Sequence, residues 1–240
     1  MKRPSRIPPA RPNQHRQASL VQKVFAQVTA LYQSNQYTQA LELCRSKLLK
    51  LAPSHPCGLL YAGVISYLSN DLQESEHYLK AAAAAGNSFD AYTNLGLTLA
   101  AMHRLPEAES AYRRAVALNP RAAQAWNNLG NILKNSFKTE RRQEALECYR
   151  RAIAANPGYA NAHNNLGHAL DSIQGDKAGA EESFRAAIAY DPNYLQAHLN
   201  LADILERSGR PDEALTSLRQ ALVLQPNNFQ VIGRALGLRR

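Results

Sequence analysis

The chain has 240 residues, 45% of them hydrophobic, and a formal net charge of +9. Abundant alanine, few glycines and few β-branched residues favour helices over strands, so an all-α protein with a sizeable core is expected. No hydrophobic run is long enough for a signal-peptide core or a membrane span, and three scattered cysteines (Cys44, Cys57, Cys148) without a Cys-x-x-Cys pair point to a reducing cytoplasm.

The charge lies at the ends. Residues 1–19 hold Lys2, Arg3, Arg6, Arg11 and Arg16 with no acid, and Arg234, Arg239 and Arg240 close the chain, which leaves the body near neutral. Prolines at 4, 8, 9 and 12 and an almost complete lack of apolar residues predict a disordered basic tail over 1–19. An arginine-rich, acid-free start also fits a transit peptide, but the prolines break the amphipathic helix that such a peptide needs. The near-neutral body argues against a nucleic-acid partner.

From residue 20 onward a block recurs about every 34 positions. Its first part reads Tyr92-x2-Leu95-Gly96, Trp126-x2-Leu129-Gly130, His163-x2-Leu166-Gly167 and His198-x2-Leu201-Ala202. Its second part reads Ala108/Tyr112/Ala115/Pro120, Ala145/Tyr149/Ala152/Pro157, Ala180/Phe184/Ala187/Pro192 and Ala214/Leu218/Ala221/Pro226. A fixed period of this kind means stacked supersecondary units. Six repeats are predicted over 20–228, at about 21–54, 55–88, 89–122, 123–159, 160–194 and 195–228, each a helix, a turn and an antiparallel helix. Residues 229–240 begin a further first helix that no second helix covers, which leaves self-association open.

Trp126, Leu129, Gly130 and Leu133 follow the i, i+3, i+4, i+7 rule and form one apolar stripe. The small residues let neighbouring helices approach closely. Cys44 and Cys148 are read as small core residues in the slot filled by Tyr112 and Phe184. Repeat four is three residues longer, within Lys134–Arg142, and repeat five one residue longer, near Gln174-Gly175-Asp176. Both insertions are expected in loops at the helix-turn-helix tips, the basic first one as a secondary contact.

These positions resemble the tetratricopeptide repeat family over residues 20–228. The resemblance implies a right-handed superhelical solenoid of antiparallel helix pairs, with a concave groove that takes a peptide or partner helix. Two positions before each Gly or Ala stands an asparagine: Asn94, Asn128, Asn165 and Asn200. Aligned by stacking, four amides can pair with the N–H and C=O of an extended peptide whatever its sequence. The competing reading is that they pin one repeat to the next. Further groove candidates are Gln124, Asn127, Asn131 and Lys134 in repeat four, Asn161, Asn164, His168 and Asp171 in repeat five, and Gln196, Asp203 and Glu206 in repeat six.

The Asn-Leu-Gly triplets are similar to the superhelical arm of the protein O-GlcNAc transferases. That similarity implies an alternative role as the substrate-recognition arm of a transferase module supplied in trans. The 14 residues after Pro226 are too few for a catalytic domain. No phosphate-binding loop, dinucleotide fingerprint, metal-ligand spacing or nucleophile motif is present. His163 and His198 fill the aromatic slot and are read as packing residues. The expectation is a non-enzymatic scaffold without cofactor or metal.

Overall fold

The computed structural model describes residues 12–136 and 138–238. Every regular element among them is helical. The first two helix pairs are α1 (Pro12–Gln33) with α2 (Tyr37–Leu43) and α3 (Leu49–Leu51), joined through a π-helical turn at Cys44–Leu48, and α4 (Pro56–Leu68) with α5 (Leu72–Gly86). Then come α6 (Phe89–Ala101) with α7 (Leu105–Leu118), and α8 (Ala123–Leu133) with α9 (Thr139–Ala155). The last pairs are α10 (Ala160–Ala169) with α11 (Lys177–Tyr190) and α12 (Leu195–Arg207) with α13 (Pro211–Leu224), followed by α14 (Phe229–Gly237). The chain forms two compact units that divide inside α7, Met1–Ala111 and Tyr112–Arg240. In the first, α4 packs on α5 and α5 on α6; in the second, α8 to α14 pack each on the next in chain order.

The expected disordered tail differs from the structure over residues 12–19, which belong to α1. Proline is compatible with a first helical turn, and from Asn13 onward no residue breaks the helix. Gln17 Nε2 also donates to the carbonyl of Leu51 at 3.1 Å. Residues 1–11 lie outside the described part.

Local chemistry sets the helix boundaries. Asp71 and Asp176 accept the backbone N–H of Glu74 and Gly179, and Asn228 that of Val231, each satisfying a donor left over at a helix start. His55 does the same with its ring, Nδ1 accepting from Gly58 N–H at 3.0 Å. Five of the turns inside pairs place a residue in the left-handed region, Asn35, Asn70, His103, Gly175 and Gly209, with φ between 59° and 73°.

The two insertions are accommodated differently. In repeat four α9 has 17 residues where α7, α11 and α13 each have 14, and residues 134–138, of which 137 lies outside the described part, separate it from α8. Repeat five absorbs its extra residue in a π-helical turn at Leu170–Gln174, a wider winding that takes one residue more per turn. At Leu170–Gln174 a hydrogen-bonded backbone satisfies the added N–H and C=O groups more completely than a loop would.

The core follows the small and large slots of the repeat. Ala40, Ala108, Ala145, Ala180 and Ala214 are fully buried, as are Ala115, Ala152, Ala187 and Ala221. Leu79, Tyr112, Tyr149, Phe184 and Leu218 fill the space between them. Burial of each such side chain stabilises by about 1.5–3 kcal/mol. A Cβ at Gly130 would lie 2.7 Å from Tyr149 Cε1, and one at Gly167 2.8 Å from Phe184 Cε1. Cys44 holds the large slot of repeat one, but in repeat four Tyr149 holds it and Cys148 packs one position earlier. Burial pushes the Cys44 thiol up to about 11 and the Cys148 thiol up to about 12.

Ion pairs tie successive second helices. Arg104 forks onto Glu107 and reaches Glu76 of the preceding pair, all at 2.6 Å. Arg210 repeats this arrangement with Glu213 and Glu181, also at 2.6 Å. Arg113 to Glu144 and Arg185 to Glu213 extend the series, as does Arg45 to Glu74.

Candidate binding face

The predicted site residues lie on the first helix of each pair. In the second unit, helical spacing puts Gln124, Asn127, Asn128, Asn131 and Lys134 along one side of α8 and its end. Asn161, Asn164, Asn165 and His168 follow on α10, Asp171 in the π-helical turn, and Gln196 and Asn200 on α12.

The asparagines form bonds between repeats. Asn165 Nδ2 donates to Asn127 Oδ1 at 2.9 Å, and Asn200 Nδ2 donates to Asn164 Oδ1 at 2.9 Å. Asn127 and Asn164 are therefore not surface contacts: they are 4% and 5% exposed and receive the amide of the next repeat. Asn127 Nδ2 in turn points to Asn128 Oδ1 at 3.4 Å. The row at 128, 165 and 200 stays half-buried above them. In the first unit, Asn94 Nδ2 donates to Asp90 O of its own helix at 2.8 Å.

An asparagine amide offers two N–H groups and a carbonyl oxygen with two lone pairs. Asn165 commits one donor to Asn127, leaving its second donor and its carbonyl for other partners. The Asn200 carbonyl accepts from Gln196 Nε2 at 2.8 Å, and the Asn131 carbonyl from the buried Tyr149 hydroxyl at 2.9 Å. Gln124, Asn161, Gln196 and His168 are exposed.

Charge on this face is unevenly paired. Arg207 bridges Asp171 at 2.5 Å and Asp203 at 3.1 Å, and Arg234 reaches Glu206 at 2.7 Å. Lys134, half-buried at the end of α8, has its pKa lowered by desolvation. His168, though exposed overall, is held below the ordinary imidazole value by partial desolvation of its ring and by the Lys134 charge, against an opposing pull from Asp171.

The aromatic slot does more than pack. Trp126 Nε1 donates to Pro120 O at 2.9 Å, while His163 and His198 place Nε2 at 2.8 and 2.9 Å from Pro157 O and Pro192 O. A carbonyl oxygen can only accept, so these ring nitrogens carry the proton. Each ring ties the start of one repeat to the proline that ends the previous one.

Sequence reasoning missed an aromatic cluster in the first unit. Tyr61, in the slot taken by asparagine in later repeats, stacks on Tyr32 with ring centroids 5.0 Å apart and on Phe25 at 5.8 Å. The i, i+7 spacing of Phe25 and Tyr32 is the signal that could have found it.

Among the described residues no group of three or more His, Cys, Asp or Glu could hold a metal ion, and no helix is long and apolar enough to cross a membrane.

Helix pairs repeated in chain order, with interlocking small and large slots, define an all-helical repeat protein of the solenoid class. The tetratricopeptide repeat model matches residues 25–88, 93–133 and 173–229, and a second TPR repeat model matches 137–171. The chain belongs to the tetratricopeptide repeat family. No curated protein matches it in sequence. Among solved structures it is similar to MamA, with 25% identity, a TM-score of 0.59, and coverage of 70% of this chain and 96% of that one. It is also similar to Pseudomonas aeruginosa pilF, at 15% identity and a TM-score of 0.77, covering 93% and 98% of the two chains. A third is YrrB, at 20% identity and a TM-score of 0.59, with 78% and 95% covered. The last is described as a TPR protein with an unusual peptide-binding site.

Proposed function

We propose that this protein is a scaffold whose second unit binds the main chain of an extended protein segment along the amides of Asn128, Asn165 and Asn200. One observation carries the reading: Asn165 spends only one of its hydrogen-bonding groups on Asn127 and keeps an N–H and a carbonyl on a half-buried face. Those two groups match what an unpaired stretch of backbone offers. Asn94 presents the same residue type within the first unit. Family membership supports a protein or peptide partner, and the peptide-binding site named for YrrB belongs to that protein but shows that the shared fold can hold one.

The reading is of a binding protein without catalytic activity of its own. The free cysteines Cys44, Cys57 and Cys148 fit a reducing cytoplasm. A pooled library of synthetic 12-residue peptides applied to the immobilised full chain tests it. Retention that is lost when Asn94, Asn128, Asn165 and Asn200 are all changed to Ala, with helical circular dichroism preserved, is the expected result. Equal retention by the variant refutes it.

A second reading rests on the Asn-Leu-Gly triplets at 94–96, 128–130 and 165–167, similar to the arm of the protein O-GlcNAc transferases. There the same face would present substrates to a transferase in trans. Copurification with a sugar-nucleotide-dependent transferase activity supports it, and copurifying partners without that activity count against it.

A further inference from the structure

We infer that the segment bound along the second unit carries an acidic side chain that pairs with Lys134; this rests on the peptide-binding reading above. Lys134 follows α8 three residues after Asn131, one turn further along that side of the helix. Its ammonium is half-buried, and among the described residues no carboxylate lies within ion-pair distance of it. The acids on the neighbouring first helices are taken: Asp171 by Arg207, Asp203 by Arg207, and Glu206 by Arg234.

A simpler account is that a cation at the end of a helix is favourable because the last carbonyls carry partial negative charge. That account does not explain the contrast with α12. Arg207, at the end of α12, lies in the same electrostatic position and still engages two carboxylates, whereas Lys134 engages none. A cation withdrawn from water without a counter-ion is costly, and a carboxylate delivered by a ligand offsets that cost. His168 stands beside Lys134 and is exposed. As a neutral ring it supplies one N–H to the second carboxylate oxygen. An internal Asp or Glu fits better than a chain terminus, because the amides of Asn128 and Asn165 call for backbone that continues past the site.

The test uses the immobilised full chain and paired synthetic peptides of Ser, Ala, Thr and Asn, amidated at the C-terminus, with either Glu or its uncharged isostere Gln at one scanned position. The Glu member of at least one pair should bind about tenfold more tightly, the usual order for a charge-assisted hydrogen bond. Lys134→Met should bring that ratio to about one, and Lys134→Arg should keep the preference. Equal binding of Glu and Gln peptides by the wild type overturns the inference but not the peptide-binding reading. A preference that survives Lys134→Met also overturns it. Retention of neither peptide overturns both.

Discussion

Asn165 and Asn127 lie 38 positions apart in the chain and share a 2.9 Å amide hydrogen bond from one first helix to the previous one. A bond of this kind contributes on the order of 1 kcal/mol, and loss of one partner from a buried site costs more than loss of both. Asn127→Ala should therefore lower urea stability by about 1–3 kcal/mol. In the double variant with Asn165→Ala the two losses should fall short of additivity, and a double-mutant cycle with zero coupling energy would show the bond to be inert.

Gly167 and Gly233 should respond to alanine in opposite directions. At Gly167 the new Cβ meets the Phe184 ring and lies 3.0 Å from the Ala180 carbonyl, which cannot yield without moving a helix, so Gly167→Ala should cost about 1–3 kcal/mol. At Gly233, inside α14, nothing lies within 4 Å, so Gly233→Ala should gain on the order of 0.5–1 kcal/mol in helix propensity. Melting curves of the two single variants check both signs.

His55 makes the start of α4 sensitive to acid. Its Nδ1 accepts the Gly58 N–H, which only the unprotonated nitrogen can do, and burial holds its pKa below the ordinary histidine value. A histidine with a lowered folded-state pKa stabilises fully above its unfolded pKa of about 6.5 and loses that contribution as pH falls below it. Unfolding followed at pH 7.5 and pH 5 should show a loss of about 1 kcal/mol at the acid end, typical of a missing cap. His55→Asn keeps an acceptor that does not titrate and should flatten that difference.

His103 sits at φ 59°, where Gly175 and Gly209 serve the later repeats. A non-glycine residue in that region stores strain of about 1–3 kcal/mol, partly offset by the greater freedom of glycine in the unfolded chain. His103→Gly should raise the melting temperature of the full chain, and an unchanged or lower value would place no strain at this turn.

The helix pairs were legible in sequence because their determinants are local and repeated: Gly130 against Tyr149, Gly167 against Phe184, and Ala residues wherever two backbones come close. The face they present was legible only in part. Asn127 and Asn164 look like surface residues on a single helix, yet they are buried, because the neighbouring repeat brings Asn165 and Asn200 down onto them. Helical periodicity describes one cylinder and says nothing of which edge the next one covers. The repeat-five insertion shows the same limit, since the choice between a loop and a π-helical turn at Leu170–Gln174 depends on backbone hydrogen bonding that residue identity does not encode.

The bonds from Trp126, His163 and His198 to the prolines behind them change what it means for that slot to be kept. Measured by bulk or hydropathy, Trp and His are distant substitutes, and the two histidines look like decay of an aromatic position. Measured by a ring N–H at the right reach, they are synonyms. At this slot the repeat is spelled in donors rather than in volume, and a chain that has exchanged one ring for another keeps the same joint between its repeats.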